Sequence, residues 1–370
     1  MASRGKSLVV GAVAASTALI GISAGTAQAA PASGCTPNVG NSGLSAAVVA
    51  HAGQRIVHRS IDATGCDIGI YVGHGASDVL IRSVWVHGAN FQGIFAEKTW
   101  NLTVEHSLVN NNGFHTIDPS APPLPGSGVH SFVGQAFAIS VFGVQHAMVS
   151  DNVVFHNGRG GIGIMDNGPN DPGIMMDKQN PSAPVIGSSY VRVTGNRTWA
   201  NYNGCGLVAA TQNLGGNLSH LTLSGNRIAG TGMSSTNGPD IGGIVVAADL
   251  PNSWVRDVSV HGNRVTNSAE GGVILNAEAP NSWTKDVWIT GNRVSGNNWA
   301  HLEAPNTAGV LVFAGPGAPG MKAAANRHTV IARNTITKQF YGIWSMGHYR
   351  PTIYGNHISV TKGGDPIFFG

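Results

Sequence analysis

The sequence predicts an all-β solenoid, in which short strands stack in parallel on their counterparts in the next repeat. Two phrases recur along the chain: one ends in Gly-Asn-Arg, and the other is Gly-apolar-x-apolar. The composition fits this fold, since the chain contains 52 Gly and only 11% charged residues. A length of 370 residues would ordinarily predict two or three domains, but a solenoid reaches it by adding repeats.

The first phrase is most regular in the middle of the chain. It ends at Arg197, Arg227, Arg264 and Arg293, and looser copies end at Asn152, Asn334 and Asn356. Gly permits a sharp corner, and an Asn repeated at one corner can stack its side-chain amides into a hydrogen-bonded ladder. We therefore interpret the Asn-Arg pairs as structural rather than catalytic.

The second phrase follows each copy of the first, so each unit holds two short strands with period-two alternation. Such strands cannot bury an apolar face alone, but they can when they stack at ~4.8 Å. Counting them, with one irregular copy near Ala138, gives about nine rungs. Residues 44–50 form a helix-like run, which predicts a short N-terminal helical cap. The phrase begins at Gly69, Gly93, Gly161, Gly206, Gly243, Gly272, Gly309 and Gly342.

The first 29 residues have the features of a secretory signal peptide. Arg4 and Lys6 precede an apolar stretch over residues 8–22, and Ala27-Gln28-Ala29 fits the small-x-small cleavage pattern. Cleavage lowers the formal net charge from +3 to +1, which leaves no basic field for nucleic acid or an anionic membrane. We therefore expect a secreted, extracellular protein with neither of these partners, and we also expect it to be a monomer.

The rest of the chain is predicted to form an N-terminal segment with its cap, residues 30–55, and one β domain, residues 56–370. Export makes a disulfide chemically possible. Cys35 and Cys66 flank the first structured segment, and we predict that they form a bridge that pins the cap. Cys205 lies in an apolar strand and is predicted to be a buried, unreactive thiol.

The two repeated phrases resemble those of the right-handed parallel β-helix superfamily typified by pectate lyases. The likeness extends from residue 56 to residue 369. It implies a right-handed parallel β-helix, in a superfamily that includes polysaccharide lyases, glycoside hydrolases, uronate epimerases and non-catalytic surface proteins. Gly73-His74-Gly75 matches a short polygalacturonase motif, but no Arg-x-Lys follows, and we interpret it as a chance match. A polysaccharide is the substrate or ligand that the resemblance implies.

Large side chains recur at alternate positions of the Gly-apolar strands. Phe142, Phe313 and Trp344, together with Asn276, are predicted to point away from the core. A row of aromatic rings along one face can stack on pyranose rings and form a groove for an extended glycan. The alternative is that the long loops between rungs fold over this face and bury the rings.

Carboxylates follow the same strands. Asp249 and Glu278 fall on adjacent rungs, so their backbones should be ~5 Å apart, and Asp166 falls two rungs from Asp249, about 10 Å away. Retaining and inverting glycoside hydrolases separate their carboxyl groups by ~5–5.5 Å and ~6.5–9.5 Å, values that these distances bracket. The alternative is that all three are solvated turn residues.

A lyase would use the same carboxylates differently. They can bind a Ca²⁺ ion that neutralises a substrate uronate, while a basic side chain removes the C5 proton. Lys98, His115 and His130 are the candidate bases. The sequence therefore predicts a secreted polysaccharide-degrading protein, a lyase or a glycoside hydrolase, for which Ca²⁺ is the candidate cofactor. The alternative is a non-catalytic β-helix that binds glycans or coats a surface.

Overall fold

The computed structural model describes residues 34–41, 44–114, 137–168, 184–202, 204–232, 242–298 and 308–370. Within these ranges the chain forms one short 3-10 helix, Val39–Asn41, and 29 strands. No helix in the described ranges is long and apolar enough to cross a membrane. The strands, in chain order, are β1 (Ala46–Ala50), β2 (Arg55–Val57), β3 (Ser60–Asp62), β4 (Ile68–Val72), β5 (Leu80–Arg82), β6 (Trp85–His87), β7 (Gln92–Glu97), β8 (Trp100–Glu105), β9 (Leu108–Asn110), β10 (Phe137–Phe142), β11 (Gln145–Ser150), β12 (Val153–Phe155), β13 (Gly160–Met165), β14 (Ser188–Thr194), β15 (Arg197–Asn201), β16 (Leu207–Thr211), β17 (Asn217–Ser224), β18 (Arg227–Thr231), β19 (Ile244–Ala248), β20 (Trp254–His261), β21 (Arg264–Thr266), β22 (Val273–Ala277), β23 (Trp283–Thr290), β24 (Arg293–Ser295), β25 (Ala308–Ala314), β26 (Ala325–Ala332), β27 (Thr335–Met346), β28 (Thr352–Tyr354) and β29 (His357–Phe369).

The chain visits three sheets in turn, and each strand pairs in parallel with its counterparts on the preceding and following rungs. Sheet 2 holds ten strands in the described part of the chain, every third strand from β2 to β26 and then β28. Sheet 1 runs from β1 through every third strand to β25, and sheet 3 runs likewise from β3 to β24. The long strands β27 and β29 continue both sheets, sheet 3 with their first halves and sheet 1 with their second. The predicted parallel β-helix is confirmed.

The core of the solenoid is a set of aliphatic columns. Alternate residues of each strand point inward, and stacking at ~4.8 Å brings the same position of successive rungs into contact. These side chains form one continuous cluster, most of it with no exposed surface. The inward column of sheet 1 consists of Val48, Ile70, Ile94, Ile139, Ile162, Leu207, Ile244, Val273, Val310, Ile343 and Ile367.

An asparagine ladder occupies the corner between sheets 2 and 3, as the Gly-Asn-Arg phrase predicts. Asn226 is typical of its members: its side-chain amide donates to Asn263 Oδ1 at 3.0 Å and to the carbonyl of Val193 at 2.9 Å. Its backbone N–H donates to the same Asn263 oxygen at 2.9 Å. One side chain thus satisfies the polar groups of two buried corners. The ladder comprises Asn152, Asn196, Asn226, Asn263, Asn292, Asn334 and Asn356.

The glycine that precedes each Asn has a separate function. Gly195, Gly225, Gly262 and Gly291 have φ values of 68°, 64°, 64° and 63°, in the left-handed region that Gly enters without steric cost. This conformation turns the chain from sheet 2 into sheet 3. Gly and Asn therefore both have structural roles at this corner.

The predicted N-terminal helical cap is wrong. Residues 46–50 form β1, which pairs in parallel with Ile68–Val72 and so continues sheet 1 by one strand. The edge of β4 would otherwise present unpaired backbone groups, and an added strand satisfies them where a helix could not. The predicted disulfide between Cys35 and Cys66 is present, with a Cα–Cα distance of 5.6 Å, and it ties the start of the described chain to the first rung.

Candidate functional site

The outer face of sheet 1 is covered rather than open. Phe142 has no exposed surface and packs edge-to-face on Phe95, with ring centroids 5.5 Å apart. Trp344 is only 6% exposed and packs on Tyr341 and Phe368. The prediction of solvent-facing rings at Phe142 and Trp344 is therefore wrong.

The physical reason for this burial is that the outer face has its own apolar cluster. Val39 and Leu44, from the segment before the first rung, belong to it together with the outward side chains of sheet 1. Phe313 is half-buried against the same cluster, and Asn276 is 2% exposed. Of the predicted sugar-binding side chains, only Phe313 retains appreciable exposure. The described part of sheet 1 has no open aromatic groove along its middle.

Asp166 lies in an inward-facing column, not with the other carboxylates. It follows Met165, which is level with Ala210, so Asp166 is level with the buried residues Thr211 and Ala248. It is fully buried and accepts hydrogen bonds from the backbone N–H groups of the turn that follows β16. Burial raises the pKa of Asp166 to about 6, although those hydrogen bonds act to lower it. Its geometry is that of a turn-stabilising residue.

Asp249 and Glu278 lie on consecutive rungs, as predicted. Ala248 is in register with Ala277, and the backbone N–H of Glu278 donates to the carbonyl of Ala248 at 3.1 Å. Both carboxylates are half-buried at the point where sheet 1 ends. The side-chain amide of Asn276 donates to Glu278 Oε1 at 3.0 Å, which fixes the orientation of that carboxylate. This is the one predicted carboxylate pair that the structure brings together.

A second polar cluster, centred on Glu97, was not predicted as a site. The buried Glu97 accepts hydrogen bonds from the Tyr71 hydroxyl and, at 3.1 Å, from the side-chain amide of Asn167. Burial raises the pKa of Glu97, against the lowering effects of Tyr71, Lys98 and Asn167. The sequence signal was present, since Glu97 is the one charged residue in an outward column that is otherwise apolar except for Asn276, within the described residues.

Lys98 adjoins this cluster and is half-buried. Burial lowers the pKa of Lys98, and the neighbouring Glu97 opposes that shift. A lowered lysine pKa favours the neutral form that a general base requires. Tyr71 also lines a cleft of about 330 Å³, together with His51 and His74. The other candidate bases, His115 and His130, lie outside the described residues.

The described residues do not assemble a site for the predicted Ca²⁺ ion. They contain no group of three or more His, Cys, Asp or Glu side chains placed to hold a metal. Ca²⁺ takes six to eight oxygen ligands, several of them carboxylate. Asp249 and Glu278 with the Asn276 amide fall short of that set.

A known protein family shares the parallel strand pairing of this chain. A family model described as "Right handed beta helix region" matches residues 47–246. The chain belongs to this right-handed β-helix family. No curated protein matches it by sequence. The match covers more than half of the chain and spans all or part of the first seven strands of sheet 1, so the right-handed β-helix that the resemblance implies is confirmed.

Solved structures share the fold at low sequence identity. PfbA, a surface adhesin of Streptococcus pneumoniae, matches with 14% identity and a TM-score of 0.51, over 80% of this chain and 62% of that one. The Family 28 exopolygalacturonase of Yersinia enterocolitica gives 12% and 0.48, over 80% and 47%. The A-module of the Azotobacter vinelandii mannuronan C-5 epimerase AlgE6 gives 16% and 0.43, over 87% and 82%. The chain spans less than two thirds of the adhesin and of the exopolygalacturonase.

Proposed function

We propose that the protein is exported and cleaves a polysaccharide where sheet 1 ends, with Asp249 and Glu278 as the reacting carboxyl groups. The observation that carries the proposal is their position on consecutive rungs. A rung spacing of ~4.8 Å is close to the ~5–5.5 Å that separates the carboxyl groups of retaining glycoside hydrolases. The Cys35–Cys66 bridge supports export, because disulfides persist in oxidising compartments.

The chemistry of such a pair assigns one role to each carboxyl group. One protonates the oxygen of the scissile bond while the other attacks the anomeric carbon, and water then releases the sugar with its configuration retained. The hydrogen bond from Asn276 leaves Glu278 with a fixed orientation, which suits the nucleophile. Asp249 is then the acid, and its backbone N–H is held by Thr211 Oγ1 at 3.1 Å.

A second candidate function is non-catalytic glycan binding at a surface. The burial of Phe142 and Trp344 favours it, because the outer face of sheet 1 has no open groove in the described part of the chain. A third candidate function is cleavage by elimination, in which the half-buried Lys98 would be the base. The three candidates differ in their products, so one assay separates them.

The carboxylate pair is tested with Asp249→Asn and Glu278→Gln. We expect each variant to lower the rate of glycan cleavage on the order of 100-fold, since a positioned acid or base contributes ~10²–10⁴-fold. The assay follows new reducing ends and ultraviolet-absorbing unsaturated products on a panel of neutral and uronate-containing polysaccharides, with Ca²⁺ and with a chelator. We expect reducing ends without ultraviolet absorbance.

The matched controls are Asp257→Asn and Asp286→Asn, which remove surface carboxylates from sheet 2. They should cleave at the wild-type rate. Unsaturated products would contradict hydrolysis and would favour elimination with Lys98 as the base. Binding without any product, or full activity in both carboxylate variants, would contradict the proposed catalytic pair.

A further inference from the structure

The structure gives Gly and Asn of the Gly-Asn-Arg phrase structural roles, whereas the arginine, which we also interpreted as structural from the sequence, is exposed to solvent. Gly makes the turn, and Asn joins the ladder. The arginines stand on consecutive rungs at the first position of β15, β18, β21 and β24. We call this set the arginine ladder; it consists of Arg197, Arg227, Arg264 and Arg293.

The arginine ladder is exposed to solvent along its whole length. At ~4.8 Å per rung it spans about 14 Å. Among the residues that the structure describes, no ion pair involves any of the four. Other surface arginines do have partners: Arg82 pairs with Glu105, Arg256 lies over the Trp254 ring, and Arg327 lies over the Tyr349 ring.

The positions around the arginine ladder carry no carboxylate on these four rungs, within the described residues. The strand ends before the corner are Thr194, Ser224, His261 and Thr290, and the outward positions beyond the arginines are Trp199, Ala229, Thr266 and Ser295. Asp151, level with Gly195, belongs to the rung below Arg197. On the rung above, Thr335 occupies the position of the arginines, and Arg333 and Lys338 are exposed on the same rung. Cationic side chains are therefore segregated on this face, although the whole chain carries a formal net charge of only +3.

Stacked arginines do not stabilise the fold by themselves. Like charges directly opposite each other on neighbouring strands are destabilising. A row of four therefore favours an anionic partner, and that partner must present charges at a similar spacing. An extended acidic polysaccharide does so, because each sugar residue advances the chain by roughly one rung and can carry one carboxylate or sulfate.

We propose that the arginine ladder on sheet 3 binds an acidic polysaccharide, with its chain running parallel to the solenoid axis. Guanidinium groups pair with carboxylates and sulfates through two parallel N–H···O bonds. Trp199 adds an apolar surface beside the first arginine: one face stacks on Phe155 at 4.6 Å, and on the next rung its neighbour is the small Ala229.

The anion site stands on sheet 3 and does not depend on catalysis at the end of sheet 1. The choice of a glycan as the polyanion rests on the proposed function. A nucleic acid is the competing polyanion, and the near-neutral charge of the chain disfavours it, since nucleic-acid-binding domains are strongly basic.

The test measures binding of the protein with all four ladder arginines changed to Gln. The probes are polygalacturonate, carboxyl-reduced polygalacturonate, dextran sulfate and a single-stranded oligodeoxynucleotide, each at low and high salt. Exposed ion pairs of ~0.2–1 kcal/mol correspond to a few-fold in affinity each, so the quadruple variant should lose on the order of 100-fold. The neutral polymer should not bind, and binding of the acidic ones should weaken as salt rises.

The matched control removes the same charge from sheet 2 with Arg55→Gln, Arg82→Gln, Arg256→Gln and Arg327→Gln, and it should keep wild-type affinity. Polygalacturonate and dextran sulfate distinguish a carboxylate-binding from a sulfate-binding site, and either result supports the proposal. Four results would overturn it: equal loss in the control, binding of the oligonucleotide alone, no acidic polymer bound, or a fall in melting temperature for the ladder variant. The last would assign the arginines a structural role instead. Glycan cleavage is measured in parallel, so a failure of the catalytic proposal is seen separately.

Discussion

Asn263→Ala is expected to lower the free energy of unfolding by about 3 to 5 kcal/mol, since each buried polar group left without a partner costs ~1–3 kcal/mol. The substitution leaves the backbone N–H of Asn226 without its acceptor and removes the amide that donates to the carbonyl of Leu223. It also removes one of the two acceptors of the Asn226 amide. All of these groups are buried at the corner, where water cannot replace the lost bonds.

The measurement is thermal and urea denaturation followed by circular dichroism, with hydrogen exchange to locate the loss. Asn356→Ala is the matched control, because Asn356 makes the same bonds on the last rung but is only half-buried. Water reaches that corner, so the control should lose much less. Equal losses of unfolding free energy at the two positions would show that burial of the ladder hydrogen bonds does not add to the stability of the fold. In a solenoid, the exchange data should place the effect on the rungs beside Asn263.

Asp166 is expected to make the protein less stable as the pH rises from about 4 to about 6, by ~3 kcal/mol. Its folded-state pKa of about 6 lies above the ordinary value of 3.8, because burial penalises the charged carboxylate. The folded state therefore holds a proton that the unfolded state has released. Asp166 stabilises the fold fully below its unfolded-state pKa. This stabilisation is lost as the pH rises through its folded-state pKa.

Asp166→Asn should remove this part of the pH dependence. The variant loses some stability at every pH, because one amide oxygen cannot replace two carboxylate oxygens at the turn. The readout is the difference in melting temperature between the variant and the wild type, measured at pH 4 and at pH 7. Because Glu97 is present in both proteins, this difference cancels the pH dependence of stability that Glu97 contributes in the same direction. Asp62→Asn is the control of opposite sign, since hydrogen bonds from Thr64 lower the pKa of Asp62. An unchanged difference across this range would contradict a buried, protonated Asp166.

The features that were predicted correctly from sequence depend on chemistry inside one repeat. A Gly that turns the chain and an Asn that bonds to its own copy on the next rung need no knowledge of distant residues. The disulfide was predictable for a similar reason, because Cys35 and Cys66 flank a single short segment. The strand β1 was not, since residues 46–50 become a strand only because β4 offers an edge to pair with.

The candidate site was predicted only in part, because it depends on the register of each residue within its rung and on which side chains cover the outer face of sheet 1. Counting from the leading Gly placed Asp166 near Asp249, but Asp166 comes one position earlier on its rung, where its carboxylate binds the backbone of the turn after β16. The burial of Phe142 and Trp344 depends on packing outside the repeat. The placement of Asp249 and Glu278 on consecutive rungs was predicted correctly because their rungs match residue for residue.

The regular register has a genetic consequence. Asn263 and Asn292 are 29 residues apart and occupy the same corner on consecutive rungs. An in-frame duplication of residues 264–292 would therefore insert one complete rung, lengthen the molecule by ~4.8 Å and leave every hydrogen-bond partner in place. It would also add a fifth arginine to the exposed row. The length of the gene thus sets the number of rungs and the length of the solenoid. Homologues that differ by whole rungs should therefore differ stepwise in the length of polymer they can bind.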